Sequence, residues 1–167
     1  MKTAVFIVAP EGFRDEEYYK PKKILEGDGV KVVTASLKTG EIQGRFGYKA
    51  LSNILVSDVK EKDYDAIVYV GGGGAKVYFD NADALRLANE FYNLGKPVTA
   101  ICIAPVILAN SGILKGKKAT VFYPDGVEDL KKAAADYTGN LVEVDGNVIT
   151  ANHADAAELF GSAILKT

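Results

Sequence analysis

Cys102 is the sole cysteine of the 167-residue chain. It lies where the run Pro97-Val98-Thr99-Ala100-Ile101 gives way to Ile103-Ala104-Pro105-Val106. A strand ending and a helix starting around a thiol supply free helix-start amides and the positive end of a helix dipole, which favour thiolate over thiol. Pro105 suits the first turn of such a helix, where an amide hydrogen has no intrahelical acceptor. The competing reading is a small buried hydrophobe; position alone leaves the two balanced.

Three further features have residue types suited to chemistry. Gly71-Gly72-Gly73-Gly74 follows the apolar run ending at Val70, and such a turn can present backbone amides to a bound oxygen. Ala75-Lys76-Val77 lacks the Lys-Ser/Thr pair of a phosphate loop, and dinucleotide spacing is absent, so an anion or oxyanion site competes with a plain tight turn. Asp15-Glu16-Glu17 is a cluster that helix starts commonly carry as caps and dipole partners. Pro21, however, removes the helical donor of the Glu17 carbonyl and predicts a distorted turn there, which makes Glu17 a candidate site carboxyl. His153 is the only histidine, and with Asp155 it opens the last predicted helix. A Cys102–His153–Asp155 relay competes with simple helix capping, and capping is the favoured reading.

These residues need elements to position them. Strands are predicted over 2–8, 30–36, 66–70 and 97–101, with helices over 16–27, 81–94, 103–110, 127–135 and 154–165. Asp145-Gly146 between 142–144 and 147–150 predicts a hairpin. The region 39–57, with Gly40, Gly44 and Gly47, suggests a short excursion or edge strands. Continuous apolar strands joined by helices imply an α/β domain over residues 1–167, its mostly parallel sheet covered by helices on both faces. Function in such sheets collects beyond the carboxyl ends of the strands, where all four features fall.

Composition narrows the class. Apolar residues make up 48% and charged residues 25% of the chain, which suits a packed globule. The net charge of −2 with intermixed signs offers no stripe for nucleic acid and no polybasic membrane anchor. No apolar run is long enough to span a bilayer, a lone cysteine makes no internal disulfide, and a cytoplasmic location is expected by default. No His/Cys cluster has metal-ligand spacing, so neither metal nor organic cofactor is expected.

Glu17, the Gly71-Gly72 turn and Ala100-Ile101-Cys102-Ile103-Ala104-Pro105 together resemble the DJ-1/PfpI (ThiJ/PfpI) superfamily, and the resemblance runs through nearly the whole chain. It implies a flavodoxin-like three-layer sandwich that assembles as a homodimer or higher homo-oligomer. It also implies Cys102 as nucleophile, Glu17 as a protonated carboxyl donating to the thiolate, and the amides of Gly72 and Ile103 as an oxyanion hole beside Gly71. Two departures stand out. Ile103 occupies the position where peptidases of the PfpI type carry histidine, which argues against proteolysis. Tyr123 precedes Pro124 where glyoxalase-type members often carry histidine, and a phenol donates a proton more readily than it removes one near neutrality.

The function expected from this pattern is cysteine-dependent attack on a small reactive carbonyl, with Tyr123 or His153 assisting Glu17. The alternatives are a cysteine peptidase or amidase and a non-catalytic redox sensor with a stress-protective role.

Overall fold

The computed structural model describes residues 1–167. Strands β1 (Thr3–Ile7), β3 (Lys31–Ser36), β6 (Ile54–Leu55), β7 (Ala66–Tyr69), β8 (Val98–Ile101), β11 (Val142–Asp145) and β12 (Val148–Ala151) form one sheet, ordered β11-β12-β8-β7-β1-β3-β6. Every pairing is parallel except the β11–β12 hairpin, in which Asp145 pairs with Val148. The fold is a flavodoxin-like three-layer sandwich, as the sequence implied.

Alternate residues of the central strands feed two separate cores, which is why these strands read as unbroken apolar runs. Val5 and Ile7 of β1, with Ile67 and Tyr69 of β7, face α2 (Ala82–Asn93), α3 (Pro105–Ser111) and α4 (Val127–Lys132). Ala4, Phe6 and Val8, with Ala66 and Val68, face α1 (Asp15–Gly27) and α5 (Ala157–Leu165). Both cores are sealed at under a tenth exposure. Helix α1 continues through Pro21 without a break, so the predicted distortion near Glu17 does not interrupt the helix. Pro21 instead packs on α5, where a Cβ at Gly161 would come within 3.0 Å of its Cα.

The region 39–57 is both an excursion and an edge strand. Strands β4 (Gly40–Gly44) and β5 (Lys49–Ser52) leave the main sheet as a hairpin, and β4 pairs in parallel with β2 (Glu11–Phe13). The chain then returns through β6 to the sheet edge. A two-stranded pair, β9 (Lys118–Ala119) with β10 (Asp136–Tyr137), completes the structure. Strands β2, β9 and β10 hold two or three residues each and leave no periodic signal in the sequence. No helix is long and apolar enough to cross a membrane.

Chain order fixes where a site can form. From β1 the chain moves outward to β3 and β6 on one side, then crosses to β7 on the other. That reversal leaves a crevice beyond the carboxyl ends of β1 and β7.

Candidate active site

Cys102 directly follows β8, and its backbone is held from two sides. Its amide donates to the Ala151 carbonyl at the end of β12 (2.8 Å), and its carbonyl accepts from the Phe122 amide (2.7 Å). The residue has φ +64°, a left-handed conformation that costs a side-chain-bearing residue about 1–2 kcal/mol. Two backbone hydrogen bonds worth about 0.5–1.5 kcal/mol each are enough to hold it there. The strained turn lifts the side chain off the strand direction and directs it into a cleft at the crevice.

Glu17 reaches the same point from the first turn of α1 and is 1% exposed. Its Oε2 is buried without a hydrogen-bond donor. Gly71 makes the approach of Glu17 and Cys102 possible. A Cβ there would overlap Glu17 Oε2, crowd the Ile101 carbonyl and come within 2.8 Å of Cys102 Cβ. Gly72, at φ +94°, packs against the backbone of 12–14, and the Arg14 amide donates to the Gly71 carbonyl at 3.0 Å. Tyr78 anchors the far end of this glycine turn by donating to the Val8 carbonyl at 2.8 Å. The glycines thus serve close packing around the carboxyl, and Gly72 and Ile103 line the cleft beside Cys102.

Burial pushes the Glu17 carboxyl up to about 8; the neighbouring thiol and the Arg14 charge pull against this only in part. Burial likewise pushes the Cys102 thiol up, a Glu17 carboxylate adds to the rise, and the amides of Gly72 and Ile103 oppose it. The sequence-based expectation of a thiol lowered by helix-start amides is corrected here. The amides are present, but burial in a site only 9% open to solvent at sulfur's residue outweighs them. Two acids crowded together out of water resist losing both protons.

The three adjacent carboxylates of α1 have three different partners. Asp15 accepts from the amides of Phe46 (3.1 Å) and Tyr48 (3.0 Å) and so ties down the β4–β5 turn. Glu16 pairs with Arg14 at 2.7 Å, and Glu17 alone turns inward to the thiol.

His153 lines the cleft with Cys102 but makes no hydrogen bond to it; its ring stacks on Phe122, with centroids 5.7 Å apart. Its Nδ1 accepts the Asp155 amide at 3.2 Å, capping the turn before α5. The same Nδ1 lies 3.4 Å from Asp155 Oδ2, but a relay also needs the ring bonded to sulfur, and that contact is missing. We expect His153→Ala to cost about 0.5–2 kcal/mol of stability, as other polar caps do, and to leave Cys102 alkylation unchanged. Thermal melts and iodoacetamide labelling of the same variant check both parts; slowed labelling would give the imidazole a role at sulfur.

Tyr123 is not brought to the cleft. It is 71% exposed and not among the residues that line the cleft, where the adjacent Phe122 stands instead. The remaining lining residues include Arg14, Arg45, Lys76 and Asp125, none of which the sequence reading singled out. The one signal for Arg45 was its position in the glycine-flanked turn Gly44-Arg45-Phe46-Gly47.

The chain belongs to the DJ-1/PfpI family, whose family model matches residues 2–167. An uncharacterized protein of Methanocaldococcus jannaschii is 49% identical over 170 residues, covering 99% of this chain and 83% of that one. A protein of Thermococcus kodakarensis named as a deglycase is 34% identical over 151 residues, 89% of each chain. Among solved structures, a ThiJ/PfpI domain protein of Brachyspira murdochii superposes with TM-score 0.95 at 31% identity, covering 98% of this chain and 94% of the other.

Proposed function

We propose that the protein is a cysteine-dependent enzyme of small reactive carbonyls, glyoxalase- or deglycase-like, working without metal or organic cofactor. One observation carries this reading: a lone thiol on a strained turn lies against a buried, proton-holding carboxyl in a cleft shared with Gly72 and Ile103, with no imidazole bonded to sulfur. Relatives named deglycases give it additional support.

In this reading the reactive form is the Glu17–Cys102 pair with one proton between them. The thiol proton passes to the Glu17 carboxylate as sulfur adds to the aldehyde carbon of an oxoaldehyde. The carbonyl electron pair becomes an oxyanion, held by the Gly72 and Ile103 amides and then protonated by Glu17. Glu17 next removes the proton from that carbon, and the electron pair passes on to the ketone oxygen, which is protonated to give an enediol. A proton then returns to the neighbouring carbon as the first hydroxyl gives up its own. The first carbon is thereby oxidised to a thioester and the second reduced to an alcohol, with no external oxidant. Water then cleaves the thioester, frees the thiol and releases a 2-hydroxy acid. Assembly into a homodimer or higher homo-oligomer is part of the same proposal.

Proteolysis fits less well, because Ile103 is apolar and the imidazole of His153 is engaged elsewhere. The deciding experiment measures methylglyoxal consumption and casein cleavage side by side, with Cys102→Ala as control. Methylglyoxal turnover lost in the variant is expected; Cys102-dependent casein cleavage with no oxoaldehyde turnover would replace this reading with a hydrolase.

A further inference from the structure

The cleft has a charge opposite in sign to that of the whole protein. The chain carries a net −2, yet three cations, Arg14, Arg45 and Lys76, line a cavity of about 280 Å³ around Cys102, against one exposed carboxylate, Asp125. Glu17 adds little negative charge there, since its raised pKa keeps it mostly protonated at neutral pH. Arg14 is matched by Glu16 at 2.7 Å. Arg45 and Lys76 form no ion pair with any carboxylate of the chain.

Arg45 is held in position by buried groups. Its amide donates to the Phe13 carbonyl at 2.8 Å, and its guanidinium lies 5.6 Å from the Phe46 ring centroid. The amides of Phe46 and Tyr48 are both taken by Asp15, a carboxylate only 6% exposed. Gly44 is what lets Asp15 in, because a Cβ there would overlap its Oδ1. A buried charge held by two amides is a costly way to fix an exposed turn, and the turn it fixes carries the unpaired cation. Lys76 comes from a different element, the tight helical segment Gly73–Tyr78 after the glycine turn.

We infer that the cleft selects carbonyl substrates bearing a negative charge, a carboxylate or a phosphate, which Arg45 and Lys76 meet while the carbonyl carbon lies at Cys102. Its carbonyl half rests on the function proposed above. Asp15 acts as a positioning residue for Arg45. Two cations beside a partly desolvated cleft focus the local potential and raise encounter rates with anions.

The sole cysteine allows a test independent of turnover. Alkylation rates with iodoacetate, an anion, and iodoacetamide, its neutral counterpart, are measured for Cys102 and for 2-mercaptoethanol at low ionic strength. Their ratio cancels changes in thiol ionisation that affect both reagents. We expect the ratio at Cys102 to exceed that of the small thiol about tenfold. It should fall toward the small-thiol value in Arg45→Ala/Lys76→Ala and at about 0.5 M salt, and hold in the distant surface variant Lys60→Ala. Asp15→Asn removes a negative charge, which by charge alone would raise the ratio; with Arg45 no longer held, the ratio should fall. A wild-type ratio no higher than that of 2-mercaptoethanol, or one unmoved by the double variant, overturns the inference. A rise in Asp15→Asn overturns the positioning role. In a second arm, kcat/KM for a phosphorylated oxoaldehyde should exceed that for methylglyoxal, and protection of Cys102 by inorganic phosphate or by acetate shows which anionic group is preferred. A high alkylation ratio with neither oxoaldehyde consumed would support anion selection and overturn the carbonyl reading alone.

Discussion

Glu17→Gln is expected to lower kcat/KM for methylglyoxal by about 100-fold or more, the usual scale for a positioned acid–base group. Glutamine fills the same volume and can donate a hydrogen bond to sulfur, but it cannot take the thiol proton or return one to carbon. The pH profile should change as well. In the wild type the single-proton form of the pair appears as the carboxyl titrates near about 8, so kcat/KM should climb up to that pH. In the variant the climb should move higher, since burial still raises the thiol and no carboxylate accepts its proton. Stability should respond in the opposite direction to activity. The folded-state pKa of Glu17 lies above its ordinary 4.5, so its contribution is fully present below about pH 4.5 and is lost as pH rises toward about 8. The variant should therefore be the more stable protein near pH 8.5, by a few kcal/mol at about 1.4 kcal/mol per pKa unit, with the gap closing toward pH 4.5. Urea melts at the two pH values and a kinetic profile on both proteins test this; unchanged turnover would remove Glu17 from the mechanism.

Gly71→Ala should be nearly as damaging to turnover, although it adds only a methyl group. That methyl meets Glu17 Oε2, the Ile101 carbonyl oxygen and Cys102 Cβ together. The Ile101 carbonyl is backbone at the end of β8 and cannot recede, and Cys102 is held by Ala151 and Phe122. Glu17 is the movable partner and should be driven off sulfur, at an overpacking cost of about 1–3 kcal/mol. We expect a folded protein whose kcat/KM falls by about 100-fold, as when the carboxyl is lost, and whose pH profile resembles that of Glu17→Gln. Gly27→Ala, where nothing lies within 4 Å of the added carbon, should keep wild-type turnover. Wild-type activity in Gly71→Ala would show that the contact between carboxyl and thiol is dispensable.

The turn at Cys102 was legible because Pro97–Ile101 is a largely apolar run, interrupted only by Thr99, and Pro105 marks a helix start four residues later. Glu17 was singled out through Pro21, whose predicted distortion does not interrupt the helix, and through family resemblance, which gave it a role beside the thiol. Among Asp15, Glu16 and Glu17, local sequence does not reveal which faces the sheet, and the structure gives each a different partner. The thiol's upward shift was hidden for a related reason: helix-start amides can be read from sequence, but the burial that outweighs them comes from distant residues. Arg45 and Lys76 escaped notice because hairpin β4–β5 and the glycine turn meet across long sequence separations.

The hairpin β4–β5 belongs to a small sheet with β2, separate from the seven strands that carry Cys102. In the proposed function, the groups that act on the carbonyl and the turn that carries Arg45 thus stand on different parts of the scaffold. Changes at residues 44–48 can redirect which compounds enter while β8, the glycine turn and Glu17 stay as they are. Under the proposed function, preference for one carbonyl compound over another can thus be altered separately from the reaction itself.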